Sequence, residues 1–414
     1  MATKFQAPRG TFDVLPEQAR SRRRLEAAAA EIFARAGYES IATPVFEGTD
    51  LFERGVGRST DIVRKEMFTF EDKGGRSLTL RPEGTASICR AYLEHGMQKL
   101  AQPVKLSYLG PFFRHERPQA GRYRQFHQLG AECIGTDSPL ADAEVITLLA
   151  DLLEELGVPG VELRLGSLGS FEARRAYLEE LKAHLRAHEG ELSGDVRERI
   201  DINPLRAFDA DDEGTQGVMA SAPTIVERLE GEDAEHFAEV RGLLDAAGIS
   251  YVVDPTLVRG LDYYTRTIFS FVCDQLGAQS EVGGGGRYDG LIEQLGGAPT
   301  PAVGFAAGIE RILLALGETA APSVGNKVFI STNYDEEMER AFALVSDLRH
   351  KGIPAELDLA GRGQKGQLKH ANRIGAKFVL FLHGENAELR DMESGEQRQI
   401  DLANIADEMT GGSG

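Results

Sequence analysis

Four short stretches of this chain carry the residue types from which phosphate and amino-acid chemistry could be built. In residues 110–132, GPFFRHERPQAGRYRQFHQLGAE, arginines, aromatic rings and two acids interleave without settling into one amphipathic period. GPFFRHE and YRQFHQLGAE flank a breaker at 118–121, which predicts a hairpin that carries Arg114 and Gln128 to one face, with Glu116, Arg122, Phe126 and Glu132 nearby. Cations on paired strands can grip an anion with little reorganisation, although an ordinary solvated hairpin would need the same residues. A second stretch, RPEGT at 81–85, places Glu83 and Thr85 on a strand-to-helix turn, where the carboxylate could bind an ammonium group or simply cap the next helix. The third, LVRGLDYYTRTIFSFV at 257–272, offers Arg259 as a fixed cation with Tyr263 and Tyr264 at a strand. A structural ion pair and core packing of the tyrosines fit that stretch equally. The fourth is PAVGFAAGIERILLAL at 301–316, where Arg311 stands in an apolar segment and calls for a partner, an anionic or aromatic ligand, or a helix surface.

Elements must hold these groups. Residues 17–36 are good helix formers closed by Gly37, and 38–52 reads as a strand that Pro44 confines to an edge, where self-pairing would make a dimer. Two strands joined by a turn at 72–75 precede a helix at 85–93. Residues 139–156 form an amphipathic helix of core-facing Ala, Ile and Leu. From 170 to 248 the charges become dense and the helices short, as in an insertion or a small helical subdomain, and β patterning resumes at 249–255. Four consecutive glycines, 283–286, let the backbone approach another group closely, yet form neither a dinucleotide fingerprint nor a P-loop. Residues 301–316 read as a strand followed by a helix. Strands at 327–332 and 378–382 and helices at 335–350 and 366–374 alternate in a separate C-terminal α/β unit. The expected division is a core of 1–169 and 249–320, an insertion of 170–248, a C-terminal domain of 326–406 and a flexible tail of 407–414.

Composition narrows the partners. With 414 residues and a net charge of -19, the chain does not suit binding of nucleic acid by bulk positive charge, so any such partner must meet local basic patches. Three widely spaced cysteines, Cys89, Cys133 and Cys273, give neither a disulfide framework nor a zinc spacing, which fits a reducing cytoplasm. No apolar run reaches the roughly 18 residues a membrane helix needs.

RGTFDVLP, LRPEGTA, GPFFRHERPQAGRYRQFHQLGAE, LVRGLDYYTRT, GGGGRYDGL and AVGFAAGIER follow one another in the order that resembles the histidyl-tRNA synthetases, a family of class II aminoacyl-tRNA synthetases. The resemblance spans nearly the whole chain and implies an α+β fold: a mostly antiparallel sheet flanked by helices, with a helical insertion and a C-terminal anticodon-binding α/β domain. It also implies a homodimer, ATP-dependent activation of L-histidine to the adenylate, and transfer of histidine to the 3′ end of tRNA(His). By the same resemblance Arg114 and Arg259 hold the α-phosphate, Arg122 and Arg311 face the outer phosphates with Glu116 in the ATP site, and Phe126 with Arg311 encloses adenine. Mg²⁺ would neutralise the departing pyrophosphate. Glu83 and Thr85 would bind the histidine ammonium, Gln128 the carboxylate side, and Glu132 with Tyr264 the two imidazole nitrogens, Tyr263 standing close by. Such a polar pocket rejects apolar analogues by leaving buried groups unpaired, so no editing domain is expected.

Two further points bear on partners. Arg362, Lys365, Lys369, Arg373 and Lys377 lie between 361 and 377 without an acid, a basic patch suited to RNA or to a solvated helix face. The synthetase-like regulatory subunit of ATP phosphoribosyltransferase shares this catalytic fold without charging tRNA. By resemblance it lacks the C-terminal module and has eroded motifs, whereas this chain keeps the module and Arg259.

Overall fold

The computed structural model describes residues 5–317, 327–332, 337–384, 386–402 and 405–410. Chain contacts divide into two compact units, Met1–Thr319 and Ala320–Gly414. In the first, eleven strands follow in chain order: β1 (Glu39–Ser40), β2 (Phe46–Gly48), β3 (Phe68–Glu71), β4 (Ser77–Leu80), β5 (Val104–Phe113), β6 (Gln125–Ile134), β7 (Val161–Ser167), β8 (Val252–Val253), β9 (Thr265–Cys273), β10 (Glu281–Arg287) and β11 (Ala302–Gly308). Eight of them form one sheet in the order β1-β5-β6-β11-β10-β9-β7-β8, and β2, β4 and β3 form a small second sheet. The large sheet is antiparallel except where β1 meets β5 and β7 meets β8 at its edges.

The hairpin expected at 110–132 is present as β5 and β6, with Gly110 opposite Gln128 and Phe112 opposite Phe126. Because side chains alternate along a strand, Gln128, Gly130 and Glu132 share one face. The other face of the sheet is closed by the helices Pro16–Arg35 and Pro139–Leu156, whose Leu25, Ile32, Val145, Leu149 and Leu152 pack in one core with Leu129, Phe269 and Phe305 of the strands. Ser138 accepts from the Leu140 N–H and Pro139 follows it, so the second helix starts where its cap predicts. That helix is also tied to β10 by charge. Arg287 and Asp142, both fully buried, form an ion pair; the guanidinium also reaches Asp289 at 3.1 Å and the Thr136 carbonyl at 2.9 Å.

The single strand expected at 38–52 is corrected. Those residues make the two short strands β1 and β2 and then turn into a helix at Thr49–Gly55. Thr49 is buried and bonds the hydroxyls of Ser77 and Thr79, and Phe52 is fully buried, so tertiary packing overrides the β-like composition. Residues 171–246 contain helices and turns, the longest helices being Phe171–Ala187 and Gly231–Ala246, with no strand among the described residues.

The second unit has five strands, β12 (Val328–Ser331), β13 (Ala355–Leu357), β14 (Phe378–His383), β15 (Asn386–Asp391) and β16 (Gln397–Ile400), in the order β13-β12-β14-β15-β16. β12 runs parallel to both neighbours, as the alternating pattern of strands and helices requires. Its helices at Met338–His350 and Gln364–Arg373 match those expected at 335–350 and 366–374, apart from residues 335–336, which lie outside the described residues. Residues 407–410, read as tail, continue a helix that starts at Ile405; the terminal 411–414 lie outside the described residues.

Candidate active site

The face of the large sheet opposite the two packing helices lines a cavity of about 830 Å³. Residues from distant parts of the sequence meet there: Glu83 and Thr85, Arg114 and Glu116, Arg122, Phe126 and Gln128, Arg259, Tyr263 and Tyr264, and Arg311. Glu132 lies beneath them with no exposed surface; it accepts from Thr85 Oγ1 at 2.8 Å and from the Tyr288 hydroxyl at 2.5 Å.

The cations are held by neighbours that leave charge free to act. Arg259 Nη1 meets Glu281 Oε1 at 2.5 Å, and its guanidinium lies 5.8 Å from the Tyr264 ring centre, while its buried Nε has no partner among the described residues. Burial works against the charge of Arg259, but Glu281 and then Tyr264 outweigh it and hold the pKa above the ordinary value. Glu281, in turn, is kept anionic against burial by Arg259, Arg311 and Arg114. Arg311 donates to the Glu281 carbonyl at 2.7 Å and to the Gly121 carbonyl at 3.2 Å. It is thus the anchored residue of an amphipathic helix, Ile309–Leu316, and holds the tip of the hairpin. Arg122 Nε stands 3.2 Å from Glu116 Oε2, and Arg114 lies 5.5 Å from the Phe126 ring centre.

Arg114 Nε donates to the Pro82 carbonyl at 2.9 Å, so the β5 end is tied to the turn that carries Glu83. Glu83 takes the capping reading and also faces the cavity. Its oxygens accept from the Thr85 and Ala86 N–H groups at 2.7 and 2.9 Å, capping the helix Thr85–Glu94, and the residue also lines the cavity. Burial raises its pKa, and those two backbone bonds return part of the rise. Glu132 is pushed up to about 8, chiefly by burial, against which the hydroxyls of Tyr288 and Thr85 act only in part; Glu83 adds to the rise.

The glycine run now has a physical role. A Cβ on Gly284 would stand 2.8 Å from Arg259 Nη1, and one on Gly304 of the neighbouring strand would overlap the Glu132 carboxylate. β10 and β11 therefore carry no side chain at Gly284 and Gly304, where the Arg259 guanidinium and the Glu132 carboxylate lie against the sheet. Tyr108, Glu281, Tyr288 and Glu310 also line the cavity and were not singled out from the sequence. Glu310 accepts from the His127 N–H at 2.9 Å and meets its Nδ1 at 2.8 Å, fixing β6 to the start of the helix Ile309–Leu316. Arg206, Phe208 and Asp209 of the helical segment reach the cavity rim, Arg206 through an ion pair with Asp61 at 2.9 Å.

An antiparallel sheet with arginines, a buried glutamate and paired tyrosines on one face is the arrangement that the resemblance to class II aminoacyl-tRNA synthetases implies, and the comparisons with known proteins agree with that class. Residues 10–312 match the family model described as histidyl-tRNA synthetase, and residues 325–411 match the anticodon binding domain. The histidine–tRNA ligase of Halothermothrix orenii is 47% identical over 411 residues, covering 97% of this chain and 98% of its own. That of Rubrobacter xylanophilus is 48% identical over 410 residues, 96% of each chain. The crystal structure of apo S. aureus histidyl-tRNA synthetase is similar with a TM-score of 0.82 at 37% identity, covering 98% of this chain and all of that one. The chain belongs to the histidyl-tRNA synthetase family.

Proposed function

We propose that this protein is a histidine–tRNA ligase whose cavity activates L-histidine with ATP and then passes it to the 3′ end of tRNA(His). The observation that carries the reading is the meeting of Arg114, Arg122, Arg259 and Arg311 with Glu83, Thr85, Gln128, Tyr263 and Tyr264 around one cavity.

Activation requires the histidine carboxylate to attack the α-phosphate in line, which builds negative charge there. Arg259 and Arg114, on anchored backbone, would meet that charge without reorganising. Arg122 and Arg311 would take the outer phosphates, with Phe126 and Arg311 about the adenine. Glu83 and Thr85 would hold the ammonium, and Gln128 would donate from its amide N–H to the carboxylate end, leaving its buried Oε1, which has no partner among the described residues, to accept from the ammonium. Tyr264 and Glu132 would bind the imidazole, Tyr263 supporting them; Glu132 is reached through the hydroxyl layer of Thr85 and Tyr288. Arg114 links the two substrates, since it stands at the phosphate end and holds the turn that carries Glu83.

Mg²⁺ would come with the nucleotide and neutralise the departing pyrophosphate. The described residues contain no group of three potential metal ligands, but Mg²⁺ in such sites uses only one or two carboxylates beside the phosphates. Glu66, Glu116 and Glu281 are among the carboxylates that line the cavity and could serve that role.

The partners follow. The second unit would read the anticodon, with Arg362, Lys365, Lys369, Arg373 and Lys377 as its basic face, and 170–248 would act as an insertion beside the acceptor end. Exposed Phe46 and Phe70, 6.2 Å apart, with exposed Val45, give the small sheet an apolar surface suited to a homodimer. No described helix is long and apolar enough to cross a membrane, and three buried free cysteines suit the reducing cytoplasm.

Histidine-dependent ATP–pyrophosphate exchange, followed by charging of tRNA, tests the reading. Exchange and charging are expected. No exchange with Mg²⁺ present would overturn it and leave the behaviour of a regulatory relative. Exchange without charging would overturn the role given to the second unit.

A further inference from the structure

Tyr108 occupies a place that the glycines around it exist to provide. It lies on β5 directly opposite Gly130 of β6, between the positions of Gln128 and Glu132 on the cavity face. A Cβ on Gly130 would overlap the Tyr108 ring and hydroxyl, and one on Gly84 would stand 2.8 Å from the ring and 3.1 Å from the hydroxyl. The ring is therefore slotted between two backbones, one of them the residue that joins Glu83 to Thr85. Its edge meets Phe112 at 6.0 Å between ring centres. The residue is 7% exposed and lines the cavity, yet its hydroxyl has no partner among the described residues. Burial first, and then the carboxylates of Glu132 and Glu83, hold the proton on that oxygen.

A buried hydroxyl left unpaired costs free energy that a ring without it would avoid. Phenylalanine would fill the same slot. The placement beside Gly84, between Glu83 and Thr85 in the chain, sets what completes it: a small donor at the ammonium position of the site.

We propose that Tyr108 is a specificity-determining residue whose hydroxyl oxygen accepts a hydrogen bond from the ammonium group of the bound amino acid, completing the set begun by Glu83 and Thr85. This rests on the reading of the cavity as a histidine site. Tyr108 thereby distinguishes an α-amino acid from a carboxylic acid bearing the same ring.

Tyr108→Phe in the full-length protein tests it through exchange kinetics and through competition by two analogues. Histidinol keeps the ring and the ammonium; imidazole-4-propionate keeps the ring and the carboxylate. The variant should raise the KM for histidine and weaken histidinol each by roughly ten-fold or more, the scale of a hydrogen bond to a charged group. Imidazole-4-propionate inhibition and the KM for ATP should stay within about two-fold, and the thermal midpoint of the ligand-free variant should be unchanged or higher. Unchanged histidine KM, equal weakening of both analogues, or a lowered thermal midpoint accompanying the kinetic loss would each overturn the proposal. Absence of histidine-dependent exchange in the unaltered protein would instead overturn the functional reading beneath it.

Discussion

Replacing Glu132 by Gln should make the ligand-free protein less sensitive to alkaline pH. Glu132 is fully buried, and the groups that face it are the hydroxyls of Thr85 and Tyr288, the carboxylate of Glu83, and the rings of Tyr108, Tyr263 and Tyr264, with Cys89 close enough to feel its charge. It makes no ion pair among the described residues. Burial therefore dominates and lifts its pKa from 4.5 to about 8. Between those values the folded protein binds one proton more than the unfolded chain, so stability is full below pH 4.5 and falls as pH rises through 8. The slope is about 1.4 kcal/mol per pH, and the whole interval is worth roughly 4–5 kcal/mol at most. Glutamine has the shape of the neutral acid and nothing to lose. Glu132→Gln and the unaltered protein should therefore unfold within about 1 kcal/mol of each other near pH 5, and the variant should gain steadily towards pH 8.5. Denaturant unfolding of both proteins across that range measures the difference, and the infrared carbonyl band of a protonated carboxyl, lost in the variant, identifies the group. A difference in stability that stays constant from pH 5 to 8.5 would refute the neutral, buried Glu132.

Arg259→Ala should lower ATP–pyrophosphate exchange by roughly 10²–10³-fold, the scale of losing one fixed charge at the reacting oxygen. Arg311 and Arg114 still face Glu281, so circular dichroism and the thermal midpoint should change little. Asp142→Ala removes the fully buried partner of Arg287 and leaves it Asp289 and backbone carbonyls, and should cost up to about 3–5 kcal/mol in denaturant unfolding. Gly304→Ala puts a methyl group on the Glu132 carboxylate and should raise the KM for histidine with the KM for ATP nearly unchanged. Lys365→Glu with Lys369→Glu should raise the KM for tRNA several-fold while leaving pyrophosphate exchange unchanged, which a charging assay against an exchange assay separates.

The motifs were legible where the chemistry is local. Arg114 and Arg122 flank one turn, Glu83 and Thr85 share another, and the helix Pro139–Leu156 follows from its cap and its apolar period. What escaped the sequence depends on register. Tyr288 lies in GRYDGL without any sign that its hydroxyl meets Glu132, because that contact requires β10, β11 and β6 to be neighbours in the sheet. Tyr108 reads as an ordinary strand tyrosine until it is found opposite a glycine. The misread strand at 38–52 failed for a related reason: Thr49 and Phe52 are chosen for what they touch, and those partners, Ser77 and Thr79 among them, lie far ahead in the chain. The glycines show why a sequence can announce a site without describing it. A glycine states only that something comes close. In this protein that something is a different buried polar side chain each time: Arg259 at Gly284, Glu132 at Gly304, Tyr108 at Gly130. The empty positions on β10, β11 and β6 and the polar groups that fill them are thus two halves of one specification, and substituting either half should disturb the same substrate.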